Sequence, residues 1–259
     1  MQGKQVDQNV EPPSQPGTCL GLSPEQQYDF DCAGFLALPG LIAPATVERL
    51  LAASVPLRCG TYSQFGSVLN RHPTFSEALF HPAVTAISSQ FFGPEFTLKG
   101  SVLVFNPAKV GGNGTTGGMR WPSWHRDADH GVHPFHAVAW PCPLLQLRFF
   151  IALTATTGAE SGGLALYPGS HRAKEDFPFA RDGIPTGAVI PVMSPGDCLI
   201  MHHATRHTAL PNRSALDRFN LQVITTPNWV RSKEQEDVAP EVLATLSEAN
   251  RKRIVPGKW

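Results

Sequence analysis

The sequence predicts a mainly β domain with flanking α-helices, and three observations predict it. From Phe96 onward the apolar runs are short and β-rich: TLKGSVLVF, LLQLRFFIALT, GGLALYPG, AVIPV, DCLIMHH and FNLQVITT. Glycine, proline and polar residues separate them, as turns separate strands. Before Phe96 the apolar residues fall at helical spacing instead. Many short strands so arranged build a sandwich or barrel, and the earlier helices are expected to buttress it.

Residues 1–25 are rich in Gln, Pro, Ser and Gly and low in hydrophobicity, which predicts a flexible N-terminal extension or a strap over the domain. The remaining chain, 26–259, is read as one domain. FDCAGFLALPGLIAPATVERLLAAS predicts a strand over Phe35–Leu38, a Pro-Gly turn, and a helix over Ala45–Ser54 whose apolar face is Val47, Leu50 and Leu51. A second helix is expected over Ser76–Gln90, with Ala78, Leu79, Val84 and Ile87 inward. Residues 107–143 are long and rich in Gly, His and Pro, which suits loops at one mouth of the barrel. A charged linker after Thr226 and a helix over Pro240–Lys252 complete the chain.

Composition narrows the function. Lys plus Arg equals Asp plus Glu at 21 each, so no basic surplus points to nucleic acid or an anionic membrane. A small-molecule substrate is the expected partner, and a homodimer is compatible with this reading. No stretch approaches the ~18 apolar residues of a membrane span, and the polar N-terminus lacks the pattern of a signal peptide; a cytoplasmic protein is expected. Cys19, Cys32, Cys59, Cys142 and Cys198 are scattered and odd in number, which suits reduced thiols, read as small buried hydrophobes.

The strongest chemical signal is Trp124-His125-Arg126-Asp127. His and Asp two apart on an extended segment turn into the same cavity, and an imidazole with a carboxylate suits a borderline cation. A second signal follows about 80 residues later, where PGD and CLIMHH lead to Ala204-Thr205-Arg206-His207. A histidine from that distant strand completes a two-His, one-carboxylate facial triad, which leaves positions open on a non-haem iron(II). Arg218 lies eleven residues past His207, one strand farther along the same cavity, and its planar fork suits a carboxylate.

Taken together these segments resemble the phytanoyl-CoA dioxygenase (PhyH-like) family of 2-oxoglutarate-dependent oxygenases. The resemblance runs over about residues 28–226. It is carried by FDCAGFLALPGLIAPATVERL, WHRD, SGGLALYPGSHR (Ser161–Arg172), the PGD turn, His207 and Arg218. The family spacing of ten residues from the Asp of the turn to the distal His, and eleven more to the arginine, is met by Asp197, His207 and Arg218.

The resemblance implies a double-stranded β-helix (jelly-roll, cupin-like) core, with Fe(II) held by His125, Asp127 and His207. It also implies 2-oxoglutarate held at its C5 carboxylate by Arg218, with O2 as the other cosubstrate. The expected reaction is oxidation of a small-molecule metabolite, hydroxylation by default with desaturation or rearrangement open, with release of succinate and CO2. Residues 107–143 and 173–188 carry no polybasic patch for coenzyme A phosphates, which favours a natural-product intermediate. Asp127 favours oxygen transfer over halogenation, since halogenating relatives lack this carboxylate. Arg126 stands where the family often has Gln, and Ala209 where it often has a hydroxyl; Thr208 has the opposite strand parity.

Plainer readings accompany the rest. His130, His133 and His136 crowd the loop after the HRD; their spacing of three does not suit metal ligands in a β context, and lining the substrate mouth is their functional reading. His202 and His203 precede His207 and are its rivals as the distal ligand; the family spacing favours His207, and the two read as pairing groups beside the core. Gly162, Gly163 and PGSH read as turn residues. Lys109 and Arg148 read first as solvated charges, with contact to an anionic substrate as the alternative, and Arg148 shares a face with Gln146 that is either the cavity or a wetter side of the sheet. Trp124, Phe105, Trp140 and Phe149 read as core. The rival functional readings are a catalytically silent jelly-roll binding module and a zinc hydrolase, the latter without an HExxH helix.

Overall fold

The computed structural model describes residues 20–109, 115–116, 119–120, 123–127, 141–174, 183–230 and 237–255. The chain enters through helix α1 (Pro24–Ala33), begun by a capping box in which Ser23 and Gln26 satisfy each other's backbone N–H groups. Leu22 just before it is buried, and its N–H donates to the Gln90 side chain. Strand β1 (Phe35–Leu38) lies where the alternation places it, and α2 (Pro44–Ser54) buries Val47 and Leu50.

The helix expected over Ser76–Gln90 is two helices, α3 (Ser76–Leu79) and α4 (Pro82–Phe92). Pro82 divides them, because it has no N–H for a continuous helix and is well suited to a first turn. The C-terminal helix is likewise split into α5 (Pro240–Thr245) and α6 (Glu248–Ile254), with Ser247 capping the second.

Strands β2 (Ser63–Gly66), β3 (Thr97–Asn106), β4 (Thr115–Thr116), β5 (Met119–Arg120), β6 (Leu147–Ala152), β7 (Leu164–Leu166), β8 (Cys198–His202), β9 (His207–Ala209) and β10 (Arg218–Thr226) follow. AVIPV, expected as a strand, contributes only a bridge from Val189 to Leu166. The main sheet is antiparallel throughout, in the order β1-β8-β6-β10-β3-β2.

Side chains alternate across a strand, so this register sorts the sheet into two faces. Phe105, Phe149, Ile151, Ile200, Phe219 and Leu221 point to the helices and join Leu50, Val84 and Ile87 in the principal core. Phe105 and Phe149 are thus core residues, each contributing about 1.5–3 kcal/mol by burial. The other face carries Arg148, Phe150, Leu199, Met201, Arg218, Asn220 and Gln222 by the same register. It is covered by a smaller layer in which β7 pairs with β9 and β9 bridges to His125. The two layers make the double-stranded β-helix, with Phe150, Leu166, Leu199 and Met201 as an apolar lining between them.

The PGD turn is structural. The Asp197 carboxylate accepts from the Gly40 and Ser194 N–H groups at 2.8 and 2.7 Å, tying the two Pro-Gly turns together. Among the described cysteines Cys142 and Cys198 are buried, as read, whereas Cys32 and Cys59 are exposed thiols.

Candidate iron and 2-oxoglutarate site

Backbone pairing builds the site. His125 N–H donates to the His207 carbonyl and His207 N–H to the His125 carbonyl, both at 3.0 Å. The Asp127 N–H donates to the His203 carbonyl at 3.0 Å. The HxD segment is therefore an added strand on the free edge of β9. One donor atom from each of His125, Asp127 and His207 lies within 4.8 Å of the others. This is the single such His/Cys/Asp/Glu group among the described residues.

The tautomers follow from the neighbours. His125 Nδ1 lies 2.8 Å from the Ser123 carbonyl and His207 Nδ1 2.9 Å from the Thr205 carbonyl. A carbonyl only accepts, so both Nδ1 atoms carry the proton and both Nε2 atoms keep a lone pair for a metal. Burial first, then the neighbouring His125, pushes the His207 pKa down to about 3, so its ring is neutral. The Thr208 hydroxyl accepts from the Ser123 N–H at 3.0 Å, fixing the carbonyl that orients His125.

Asp127 is buried, and its two oxygens are differently placed. Oδ1 is 4.0 Å from His207 Nε2, and Oδ2 is 2.5 Å from Arg148 Nε. Arg148 is therefore not the solvated charge that sequence favours. Its side chain is mostly covered, and Nη1 also donates to Gln222 Oε1 at 2.9 Å. Lys99 stands near this pair, its pKa lowered by burial and by Arg148.

Arg218 opens strand β10 and lies buried in a pocket lined by Phe150, Ala152, Leu164, Met193, Leu199 and Asn220. Leu164 is the register partner of Ala209, two residues past His207, and Phe150 is two residues from Arg148. Two of the strands that carry this lining, β6 and β7, are thus the one that carries Arg148 and the one that pairs with the strand of His207. With the Asn220 amide oxygen turned toward it, the guanidinium donates at 2.6 and 3.2 Å. Burial pulls the Arg218 pKa down to about 10, and the group remains a cation at neutral pH.

The remaining predicted residues fall elsewhere. His202 and His203 stack at 4.8 Å between ring centroids. His202 Nδ1 accepts from the Ala204 N–H, and His203 Nε2 is 3.4 Å from Cys142 Sγ; both are pairing groups. Arg126 points away from the triad and donates to the Ala173 carbonyl. Trp124, read as core, is half-buried and its indole N–H donates to the Gly183 carbonyl at 2.9 Å. His130, His133, His136 and Trp140 lie outside the described residues. Sequence reasoning missed Thr208 as an orienting group, and also Asn220 and Gln222. The signal for the last two was present, since RFNLQ repeats a polar residue every second position from Arg218 on an otherwise apolar strand.

Two imidazole Nε2 atoms and one carboxylate oxygen form the donor set of non-haem iron(II) sites, and the triad, with Asp127 and His207 buried and His125 partly so, fits that ion. The family model for phytanoyl-CoA dioxygenase (PhyH) matches residues 30–220.

The chain belongs to the phytanoyl-CoA dioxygenase family.

PhyH enzymes are non-haem and use Fe(II), 2-oxoglutarate and O2, and this family member is an enzyme of that class. Solved structures share its fold. The non-haem α-ketoglutarate-dependent epimerase SnoN from nogalamycin biosynthesis is 20% identical, with a TM-score of 0.61 over 78% of this chain and 80% of that one. The carbocyclase SnoK from the same biosynthesis is 21% identical, with a TM-score of 0.61 over 83% and 88%. HygX from Streptomyces hygroscopicus, solved with nickel and 2-oxoglutarate bound, is 17% identical, with a TM-score of 0.63 over 82% and 90%. Among the described residues of this PhyH protein, no helix is long and apolar enough to cross a membrane.

Proposed function

We propose that His125, Asp127 and His207 hold Fe(II), that Arg218 binds the C5 carboxylate of 2-oxoglutarate, and that the enzyme oxidises a small natural-product intermediate. The observation that carries this reading is the convergence of three donor atoms of His125, Asp127 and His207 within 4.8 Å, and the buried Arg218 guanidinium in a largely apolar pocket supports the cosubstrate part of it. The iron, 2-oxoglutarate and O2 together supply the oxidising equivalent, with succinate and CO2 released.

The protein's part is to bind, orient and exclude water. The imidazoles present Nε2 because their Nδ1 protons are committed to carbonyls. Arg218, seated against Asn220, offers its fork to a carboxylate entering the pocket, where low polarity strengthens the pairing. Phe150, Leu164, Leu199 and Met193 give the Arg218 pocket apolar walls that limit water around the guanidinium. The retained Asp127 carboxylate supports oxygen transfer rather than halogenation. The biosynthetic origins of SnoN and SnoK support a free small metabolite as substrate, with hydroxylation as the default outcome.

The test is anaerobic addition of Fe(II) and 2-oxoglutarate, reading the visible charge-transfer band of a bidentate chelate. The band is expected in wild type, weakened in Arg218→Ala and absent in His207→Ala. A folded, iron-loaded wild type with no band would overturn the reading and favour a silent jelly-roll binding module.

A further inference from the structure

We infer that Arg148 is a positioning residue that restricts Asp127 to one metal-binding oxygen, with Gln222 holding Arg148 in place. This rests on the ligand assignment proposed above and concerns how that site is kept open. Asp127 divides its carboxylate: Oδ1 faces the imidazole of His207 at 4.0 Å, while Oδ2 is engaged by Arg148 Nε at 2.5 Å. A carboxylate with both oxygens free can chelate a metal through the pair and take one more coordination position. A facial triad works only if three positions stay open, two for 2-oxoglutarate and one for O2.

The guanidinium is suited to this task by its own support. Arg148 projects from β6 into the cavity, and its Nη1 donates to Gln222 Oε1 on β10 at 2.9 Å. Register places Gln222 opposite Phe150 and Arg148 opposite Ile224, so the two side chains stand diagonally on one face. The main sheet thereby fixes a carboxylate that the HxD segment carries from the other layer. The cationic charge beside Asp127 also offsets the carboxylate when no metal is bound.

The experiment titrates the Fe(II)-loaded protein with 2-oxoglutarate without oxygen, in wild type, Arg148→Met, Arg148→Lys and Gln222→Leu, reading the position of the charge-transfer band and the apparent affinity. Arg148→Met is expected to bind iron yet show a shifted band and 2-oxoglutarate affinity weaker by about tenfold to a hundredfold. Arg148→Lys should recover most of the affinity and the wild-type band position, since an ammonium still occupies Oδ2. Gln222→Leu should shift both in the same direction by less, and it carries the test if Arg148→Met does not fold. A methionine variant with wild-type band and affinity, or a lysine variant no better than methionine, would overturn the inference. If wild type itself gives no band, the iron and 2-oxoglutarate reading falls, and this inference with it.

Discussion

His125 and His207 exchange two backbone hydrogen bonds of 3.0 Å, and their rings lie 4.3 Å apart between centroids. Two proposed ligands about 80 residues apart in sequence are thereby the two halves of one antiparallel pair. Their separation is set by strand spacing rather than by side-chain adjustment.

Thr208 holds the outer edge of that pair. Thr208→Val keeps the shape but leaves the Ser123 N–H without its hydroxyl acceptor, at a cost of about 1–3 kcal/mol. The expected outcome is a lower melting temperature together with weaker Fe(II) binding in a chelator competition. A variant that loses stability with unchanged metal affinity would show that Thr208 does not orient His125.

Arg218 is proposed to bind the cosubstrate, and Asn220 to seat that arginine. Arg218→Met removes a charge-assisted contact worth about 1.5–3 kcal/mol, so the KM for 2-oxoglutarate should rise by more than tenfold. Asn220→Leu should raise it less, because the fork remains and only its seat is lost. Steady-state kinetics with 2-oxoglutarate as the varied reactant separates the two. Equal KM values for wild type and Arg218→Met would remove Arg218 from the site.

His202 makes the fold sensitive to acid. Burial first, then His203 and His171, lowers its pKa from 6.5 to about 2. The unfolded chain takes up this proton as pH falls through 6.5, whereas folded His202 does not until about 2. Stability from keeping the ring neutral is thus full above 6.5 and declines below it. The loss from this one group is on the order of 2 kcal/mol by pH 5. His202→Asn, which keeps an acceptor for the Ala204 N–H, should flatten the fall of stability between pH 7 and pH 5 in urea melts. An unchanged slope would assign the sensitivity elsewhere.

Gly162 occupies the left-handed region at φ +71°, and a Cβ there would meet Asn106 Nδ2 at 2.5 Å and Asn212 Cβ at 3.0 Å. Asn212 in turn donates to the Asn106 and Leu216 carbonyls, bracing the turn that leads into Arg218. Gly162→Ala should cost at least 1 kcal/mol from backbone strain alone and should raise the KM for 2-oxoglutarate as the turn shifts. Calorimetry and kinetics together check it; a neutral effect on both would mean the turn accommodates the methyl.

The sequence by itself determined the strand-rich core, the helical front and the four residues proposed for the iron and cosubstrate. Each rests on a local pattern: alternation in TLKGSVLVF and FNLQVITT, the HxD pair, and spacings counted from Asp197 to His207 to Arg218. Local pattern also contained the break at Pro82, since a proline's effect on a helix is local. The partner of Asp127 was decided only by the tertiary structure. An apolar run containing Arg148 reads the same whether that arginine meets solvent, substrate or a buried carboxylate. Choosing among them requires knowing which face of β6 is enclosed, and that depends on β9 and the HxD segment closing over the sheet from a distance in sequence. The division of Asp127's two oxygens arises the same way, as a contact between layers, and the hydroxyl of Thr208 behind His125 arises from the pairing of β9 with the distant HxD segment. A side chain's charge and spacing specify its own direction but not what another strand brings to meet it.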